Sequence, residues 1–249
     1  MSDESVSSSD AENQRLRDQY TQIAQLAGGL AHEIKNPLST IRLNMELLAE
    51  DLGDPRTPNQ RRAQNKIATV QRECQRLQEL LEDFLKFARA RALNPRVSDL
   101  NEEVQLLLDF YRPQADETGI ELIPYLADRL PAVQLDREMF RGALLNLMLN
   151  AQQAMPTGGQ MVIRTQVTKG GGVKLELIDN GVGMDERTRS KMFDAFFSTK
   201  AGGSGLGLPT TRKIIEDHNG RITVESEPDR GTRFTIELPP AESSPDSMN

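Results

Sequence analysis

Two histidines occur in this 249-residue chain, and one of them, His32, stands in the segment LAHEIKNPLSTI. Apolar residues recur through this region at Ile23, Leu26, Leu30, Ile34, Leu38, Ile41, Met45, Leu48 and Leu52. Their spacing of three and four predicts a helix from Tyr20 to Leu52. At about 100° per residue, His32 falls opposite that stripe and is expected to face solvent. Glu33 is its neighbour, Asn36 shares its face one turn on, and Pro37 removes a helix hydrogen bond beyond it. A lone exposed histidine is commonly no more than a solvated side chain. Here a carboxylate can take the imidazole proton or hold one tautomer, leaving the other nitrogen nucleophilic and able to accept a phosphoryl group. The amide one turn away can orient a water.

A second set of residues could hold a phosphorylated ligand without a GxxxxGK[ST] loop, which is absent. Asp136 is a good N-cap for a helix to Met155 carrying NLMLNAQQAM, with Asn146 and Asn150 on one face. They could be a solvated polar face, but mid-helix asparagine is a mediocre helix former, and carboxamide oxygens suit Mg²⁺. DNGVGM follows a predicted strand, where Asp179 could accept from an exocyclic amine such as that of adenine. Gly181 and Gly183 would let the backbone approach a flat base, although DNG is equally a turn. FDAFFSTK offers aromatic core anchors or a hinge, with Lys200 able to reach a phosphate. GGSGLGL, from Gly202 to Leu208, opens a predicted helix, whose free N–H groups attract anions. Singly, each motif is weak.

The elements that must position these groups differ on either side of Asn94–Pro95. Before it, Gly53–Asn59 reads as a loop, and Ile67, Val70, Cys74, Leu77, Leu81, Phe84 and Ala88 form a heptad seam. Two helices joined this way make an antiparallel hairpin, which cannot cover both stripes alone. Two copies would make a four-helix bundle, so a homodimer is expected. Beyond it, helices are predicted at Leu100–Tyr111, Asp136–Met155 and Leu206–Asn219, the last closed by Gly220. Strands are predicted at Gly119–Tyr125, Gln160–Thr168, Val173–Asp179, Arg221–Glu227 and Thr232–Leu238. The expected fold class is α+β: a helical hairpin, then a two-layer α/β sandwich. The expected divisions are a polar tail (1–18), the hairpin (19–92), the sandwich (93–239) and a second tail (240–249).

Taken together, the histidine segment and the four later motifs resemble the sensor histidine kinases of two-component signalling, most closely a soluble nitrogen-regulatory branch. The four motifs are similar, in order, to the N, G1, F and G2 boxes of the ATP-binding domain shared with gyrase, Hsp90 and MutL. The resemblance covers about Ile23 to Leu238. It implies that His32 is phosphorylated from ATP, that Glu33 is the acid/base, and that Asn36 helps a water hydrolyse a partner's phospho-aspartate. It further implies that Asn150 binds Mg²⁺, Asn146 supports the phosphates and Asp179 reads the adenine amine. Gly181 and Gly183 would shape the base pocket, while Gly203, Gly205 and Gly207, with Leu208 closing the motif, would cradle phosphates. The ATPase branches have a glutamate where this chain has Asn146, and an amide is no general base. Many sensor kinases have a lysine where this chain has Gln153, which leaves Lys200 or arginines as phosphate cations.

Composition narrows the partners. Thirty basic against 37 acidic residues give a net charge of −7, a poor match to nucleic acid. No apolar run is long enough to span a bilayer. The acidic, serine-rich start is unlike a signal peptide, and the single Cys74 excludes an internal disulfide. A cytoplasmic protein is expected. His218 and Cys74 read as structural, the first near a helix C-terminus. The implied function is a kinase that passes phosphate from His32 to an aspartate of a response regulator receiver domain, and also removes it. The alternative is a catalytically idle, ATP-binding dimeric scaffold. About 20 residues precede the first helix, too few for a sensor domain, so a separate input protein or a truncated core is expected.

Overall fold

The computed structural model describes residues 34–54, 56–88, 93–200 and 203–241. They form two compact units: the chain to Arg91 with Lys200–Leu206, and Ala92–Thr199 with the chain from Gly207 onward. Among the described residues no helix is long and apolar enough to cross a membrane.

The first unit is built on α1, helical over 34–52, and α2, Pro58–Ala88. The helix passes through Pro37 without a break. Proline forfeits the bond to the carbonyl at 33, which lies outside the described residues. The loop is two residues shorter than expected, because Pro58 and Asn59 already belong to α2. Thr57 and Gln60 explain this with a capping box. Gln60 N–H donates to Thr57 Oγ1 at 3.2 Å, and Thr57 N–H to Gln60 Oε1 at 2.9 Å. Proline follows at the first helical position, where its missing N–H costs nothing. The helices run antiparallel, since the start of α1 meets the end of α2 through Lys35–Glu82 (2.9 Å) and Gln78–Ser39 (3.2 Å). Leu38, Ile67 and Cys74 are buried between them. Ile34, Ile41, Leu48, Val70 and Leu77 stay exposed, so five of the twelve seam residues whose burial is described are uncovered in one chain.

The second unit begins with β1 (Arg96–Ser98), which pairs antiparallel with β3 (Val133–Leu135). A five-stranded sheet follows in the order β2-β4-β5-β7-β6: Ile120–Tyr125, Gly159–Val167, Val173–Asp179, Thr232–Leu238 and Arg221–Ser226. β2 lies parallel to β4, and every other pairing is antiparallel. The helices are α3 (Leu100–Glu117), α4 (Arg137–Ala154), the short α5 (Glu186–Lys191) and α6 (Gly207–Asp217). The buried stripes of α3 and α4 meet the inward-facing residues Met161, Ile163, Leu175, Leu177, Phe234 and Ile236 in one core. Glu103 of α3, 2% exposed, is held there between Arg137 and Arg141 at 3.3 and 3.6 Å. A buried carboxylate without such partners would be costly.

Several boundaries differ from the sequence reading for identifiable reasons. α3 continues through Pro113 to Glu117, because the bond a proline forfeits is the one to Asp109 on the exposed side. α6 closes in a Schellman motif. Asn219, not Gly220, takes the left-handed conformation (φ 55°), with Gly220 N–H on Ile215 O and Asn219 N–H on Glu216 O, both at 2.9 Å.

Candidate functional site

The candidate pocket grows from α4 and α6, which lie antiparallel and are tied at two points. Near the start of α4, the Asp136 N–H donates to His218 Nε2 at 2.8 Å. His218 Nδ1, at 2.7 Å from Ile214 O, is therefore the protonated nitrogen, and the ring is a buried structural pin. Asp136 in turn caps α4, accepting from Met139 N–H at 3.2 Å. Ten residues along, Asn146 Nδ2 donates to Thr211 Oγ1 of α6 at 2.9 Å. Asn150 Nδ2 donates to the Asn146 carbonyl at 2.9 Å, which turns its side-chain oxygen away from that carbonyl. Gly207 starts α6 directly beside Asn146: a Cβ there would lie 2.5 Å from Asn146 Oδ1. A side chain here would push the Asn146 carboxamide out of its place.

Asp179 ends β5 and is 4% exposed. Gly181 N–H donates to its Oδ1 at 2.9 Å. Burial pushes the carboxyl above the usual range, while the N–H groups of Gly181 and Thr232 pull it back. Gly181 and Gly183 serve a tighter purpose than access for a base. A Cβ on Gly181 would sit 2.6 Å from the Ala154 carbonyl, and one on Gly183 (φ 65°) would run into the Glu227 carbonyl. The loop is thus pressed onto the end of α4, where Val182 N–H reaches Ala154 O at 3.1 Å. It is also pressed onto the β6–β7 turn, where Asp229 N–H reaches Val182 O at 2.8 Å. Ser226 Oγ fastens the same junction, accepting from Met184 N–H and donating to Gly231 O, both at 2.9 Å.

Gly231 closes directly over Asp179, with φ 80° and a Cβ position that would overlap the Asp179 carbonyl oxygen. Gly231→Ala is expected to destabilise the protein by about 1–3 kcal/mol through the strained backbone and the clash. Urea unfolding checks this, and an unchanged midpoint contradicts it.

Asn146, Asn150, Asp179, Gly181, Gly183, Gly207 and Leu208 all belong to the second unit. Lys200, Gly203 and Gly205 belong to the first, as does Asn36, which is exposed on α1. Partial desolvation lowers the pKa of Lys200 below the ordinary lysine value, although the residue as a whole is exposed. In that segment Gly205 takes φ 67°, and Ser204 Oγ donates to Asp83 Oδ2 of α2 at 2.7 Å. His32 and Glu33 lie outside the described residues. Sequence reasoning missed Thr211. The signal was a hydroxyl on the apolar face of α6, in step with Leu208, Ile214 and Ile215.

Among the described residues no cluster of three or more histidine, cysteine or acidic side chains could hold a metal. A divalent cation in this pocket would depend on amide oxygens and on its ligand's phosphates. That oxygen-only, protein-poor donor set suits Mg²⁺.

A mixed sheet backed by helices, with an asparagine beside a glycine-opened helix start and a buried aspartate ending a strand, defines a class of nucleotide-binding domain. Residues 135–242 match the family described as histidine kinase-, DNA gyrase B- and HSP90-like ATPase, and residues 22–93 match the His Kinase A phospho-acceptor domain. The chain is 33% identical to the signal transduction histidine-protein kinase AtoS of Escherichia coli K12 over 231 residues, 92% of this chain and 37% of AtoS. The crystal structure of full-length ShkA in complex with AMPPNP superposes with a TM-score of 0.69 and 26% identity, covering 88% of this chain and 46% of ShkA. That of histidine kinase ThkA in complex with response regulator TrrA gives 0.66 and 25%, covering 94% and 66%. The chain belongs to the sensor histidine kinases of two-component systems. It spans about a third to a half of the length of the curated relatives it matches.

Asp179→Asn separates binding from folding. The amide lacks the charge that makes a hydrogen bond to an adenine amine worth about 1.5–3 kcal/mol. ATP affinity should fall by roughly tenfold or more. A carboxyl whose folded pKa is raised binds protons more tightly when folded, so its stabilising effect is present at low pH and lost as pH rises through that pKa. Removing the charge should therefore leave the neutral-pH unfolding midpoint unchanged or higher. Unchanged ATP affinity by calorimetry contradicts the assignment.

Proposed function

We propose that this chain is the working core of an ATP-dependent protein-histidine kinase. It autophosphorylates His32, passes the phosphoryl group to an aspartate of a response regulator, and acts as that regulator's phosphatase. The observation that carries this reading is the placement of Asn146, one turn before Asn150 on α4, against Thr211 and the start of α6, in a chain that also carries the LAHEIKNPLSTI segment. Amides at that position can support Mg²⁺ and phosphates without activating water, so the γ-phosphate is kept for the histidine.

In this mechanism Asp179 accepts from the adenine amine. The N–H groups at the start of α6, and the backbone of Gly203, Gly205 and Gly207 with Leu208 behind them, receive the phosphates. Gly181 and Gly183 give the base pocket its shape, and Lys200 supplies a cation from the segment before α6. Asn150 would hold Mg²⁺, whose charge would offset that of the phosphates, and Asn146 would support the phosphates. The unprotonated nitrogen of His32 attacks the γ-phosphorus. The bond to the β,γ-bridging oxygen breaks, its electron pair leaves with ADP, and Glu33 takes the imidazole proton. In the reverse assignment Asn36 holds a water in line with the regulator's phospho-aspartate.

The uncovered seam of Ile34, Ile41, Leu48, Val70 and Leu77 favours a homodimer through the hairpin, completing a four-helix bundle. ThkA, a structural neighbour, was solved in complex with a response regulator, and a response regulator receiver domain is the partner expected for this chain. The proposed divisions are tails at 1–18 and 240–249, a dimerisation and phosphotransfer domain at 19–92 and an ATP-binding domain at 93–239. A cytoplasmic location completes the reading. Incubation with Mg²⁺ and either γ- or α-labelled ATP tests it. Covalent label should come from the γ position alone, and its absence would favour an idle ATP-binding scaffold.

A further inference from the structure

Thr211 sits in the first turns of α6, 1% exposed, in the apolar row formed with Leu208, Ile214 and Ile215. A hydroxyl in that row is costly unless it is hydrogen-bonded. Its partner is Asn146 Nδ2, at 2.9 Å. A carboxamide has two unlike ends, so holding one end decides where the other points. With Nδ2 on Thr211, Asn146 Oδ1 faces Gly207, so near that a Cβ there would be 2.5 Å away. Gly207 is the first residue of α6, the end whose free N–H groups and dipole draw anions. An acceptor oxygen beside phosphate oxygens is repelled unless a cation, or a water on that cation, lies between them.

We propose that Thr211 is a positioning residue that holds the Asn146 carboxamide with its oxygen toward the start of α6, where it faces the magnesium-bound phosphates of the nucleotide. This rests on the reading of the pocket as a Mg²⁺·ATP site. The tie between Asp136 and His218 fixes the far ends of the two helices independently. Loss of the Thr211 hydroxyl should therefore release the amide rather than the helix. With the amide free to reverse, an NH₂ group faces the site, and it cannot serve a cation.

The test uses Thr211→Val, which keeps the shape and loses the hydroxyl, and Thr211→Ser, which keeps it. Calorimetric titration with ATP is run in excess Mg²⁺ and again in EDTA, alongside thermal unfolding of each variant. Thr211→Val should bind Mg²⁺·ATP about three- to tenfold more weakly, the range of one neutral hydrogen bond, and bind metal-free ATP as the unaltered protein does. Thr211→Ser should match the unaltered protein under both conditions. In an Asn146→Ala background, Thr211→Val should have no further effect on Mg²⁺·ATP binding. Unchanged Mg²⁺·ATP affinity in Thr211→Val overturns the proposal, as does an equal loss with and without metal, which would make Thr211 a packing residue. Failure of the unaltered protein to bind ATP at all would instead overturn the nucleotide reading on which the proposal rests.

Discussion

Replacing His32 with glutamine is expected to abolish covalent labelling by γ-labelled ATP and to leave ATP binding as it was. Glutamine keeps a polar side chain of similar reach but has no imidazole lone pair to attack phosphorus. Asn146, Asp179 and Gly207 are built on α4, β5 and α6, elements far along the chain from residue 32, and the substitution alters none of them. The effect is all-or-none, because no second histidine stands in for the first. His218 is buried with both ring nitrogens engaged, one by Asp136 N–H and one by Ile214 O. Labelling retained in His32→Gln, measured with nucleotide affinity on the same sample, contradicts the assignment.

Asn36→Ala should divide the two activities. Asn36 is exposed on α1, and the helix is continuous through Pro37 beside it, so the side chain is not propping a broken turn. An amide can orient a water by accepting and donating hydrogen bonds but cannot take its proton. Its loss should slow dephosphorylation of the partner by ~10²-fold, the lower end for a positioned catalytic group. Autophosphorylation, which needs His32 and a proton acceptor but no water, should be nearly unaffected. The check is a pair of time courses, label gained on the kinase and label lost from the regulator. Equal damage to both would make Asn36 a structural polar residue.

Long periodic elements were the most legible part of this chain. The stripe from Ile34 to Leu52 and the seam from Ile67 to Phe84 specify two helices, and alternation specifies β4, β5 and β7 to within a residue. The three-residue strands β1 and β3 and the six-residue α5 escape such patterns, because they are shorter than one reliable period. Parallel pairing of β2 with β4 is equally silent in sequence, since it is settled by core packing far along the chain. In the candidate site, residue types were legible and reasons were not. The glycines at 181 and 183 stand out as a motif, yet only the fold shows that Ala154 and Glu227 carbonyls fill the space a side chain would need. Asn146 stands out on its face of α4, but its partner Thr211 lies 65 residues away.

The chemistry of the bound label tests the central claim most directly. The protein is incubated with Mg²⁺ and γ-labelled ATP, denatured, and divided between acid and base. A phosphohistidine has a phosphorus–nitrogen bond that acid cleaves and base spares. The account predicts label lost in acid and kept in base, confined to the peptide carrying His32. Label that survives acid would mean a hydroxyl acceptor, and label lost in both acid and base an acyl phosphate. Either would contradict a histidine kinase acting through His32.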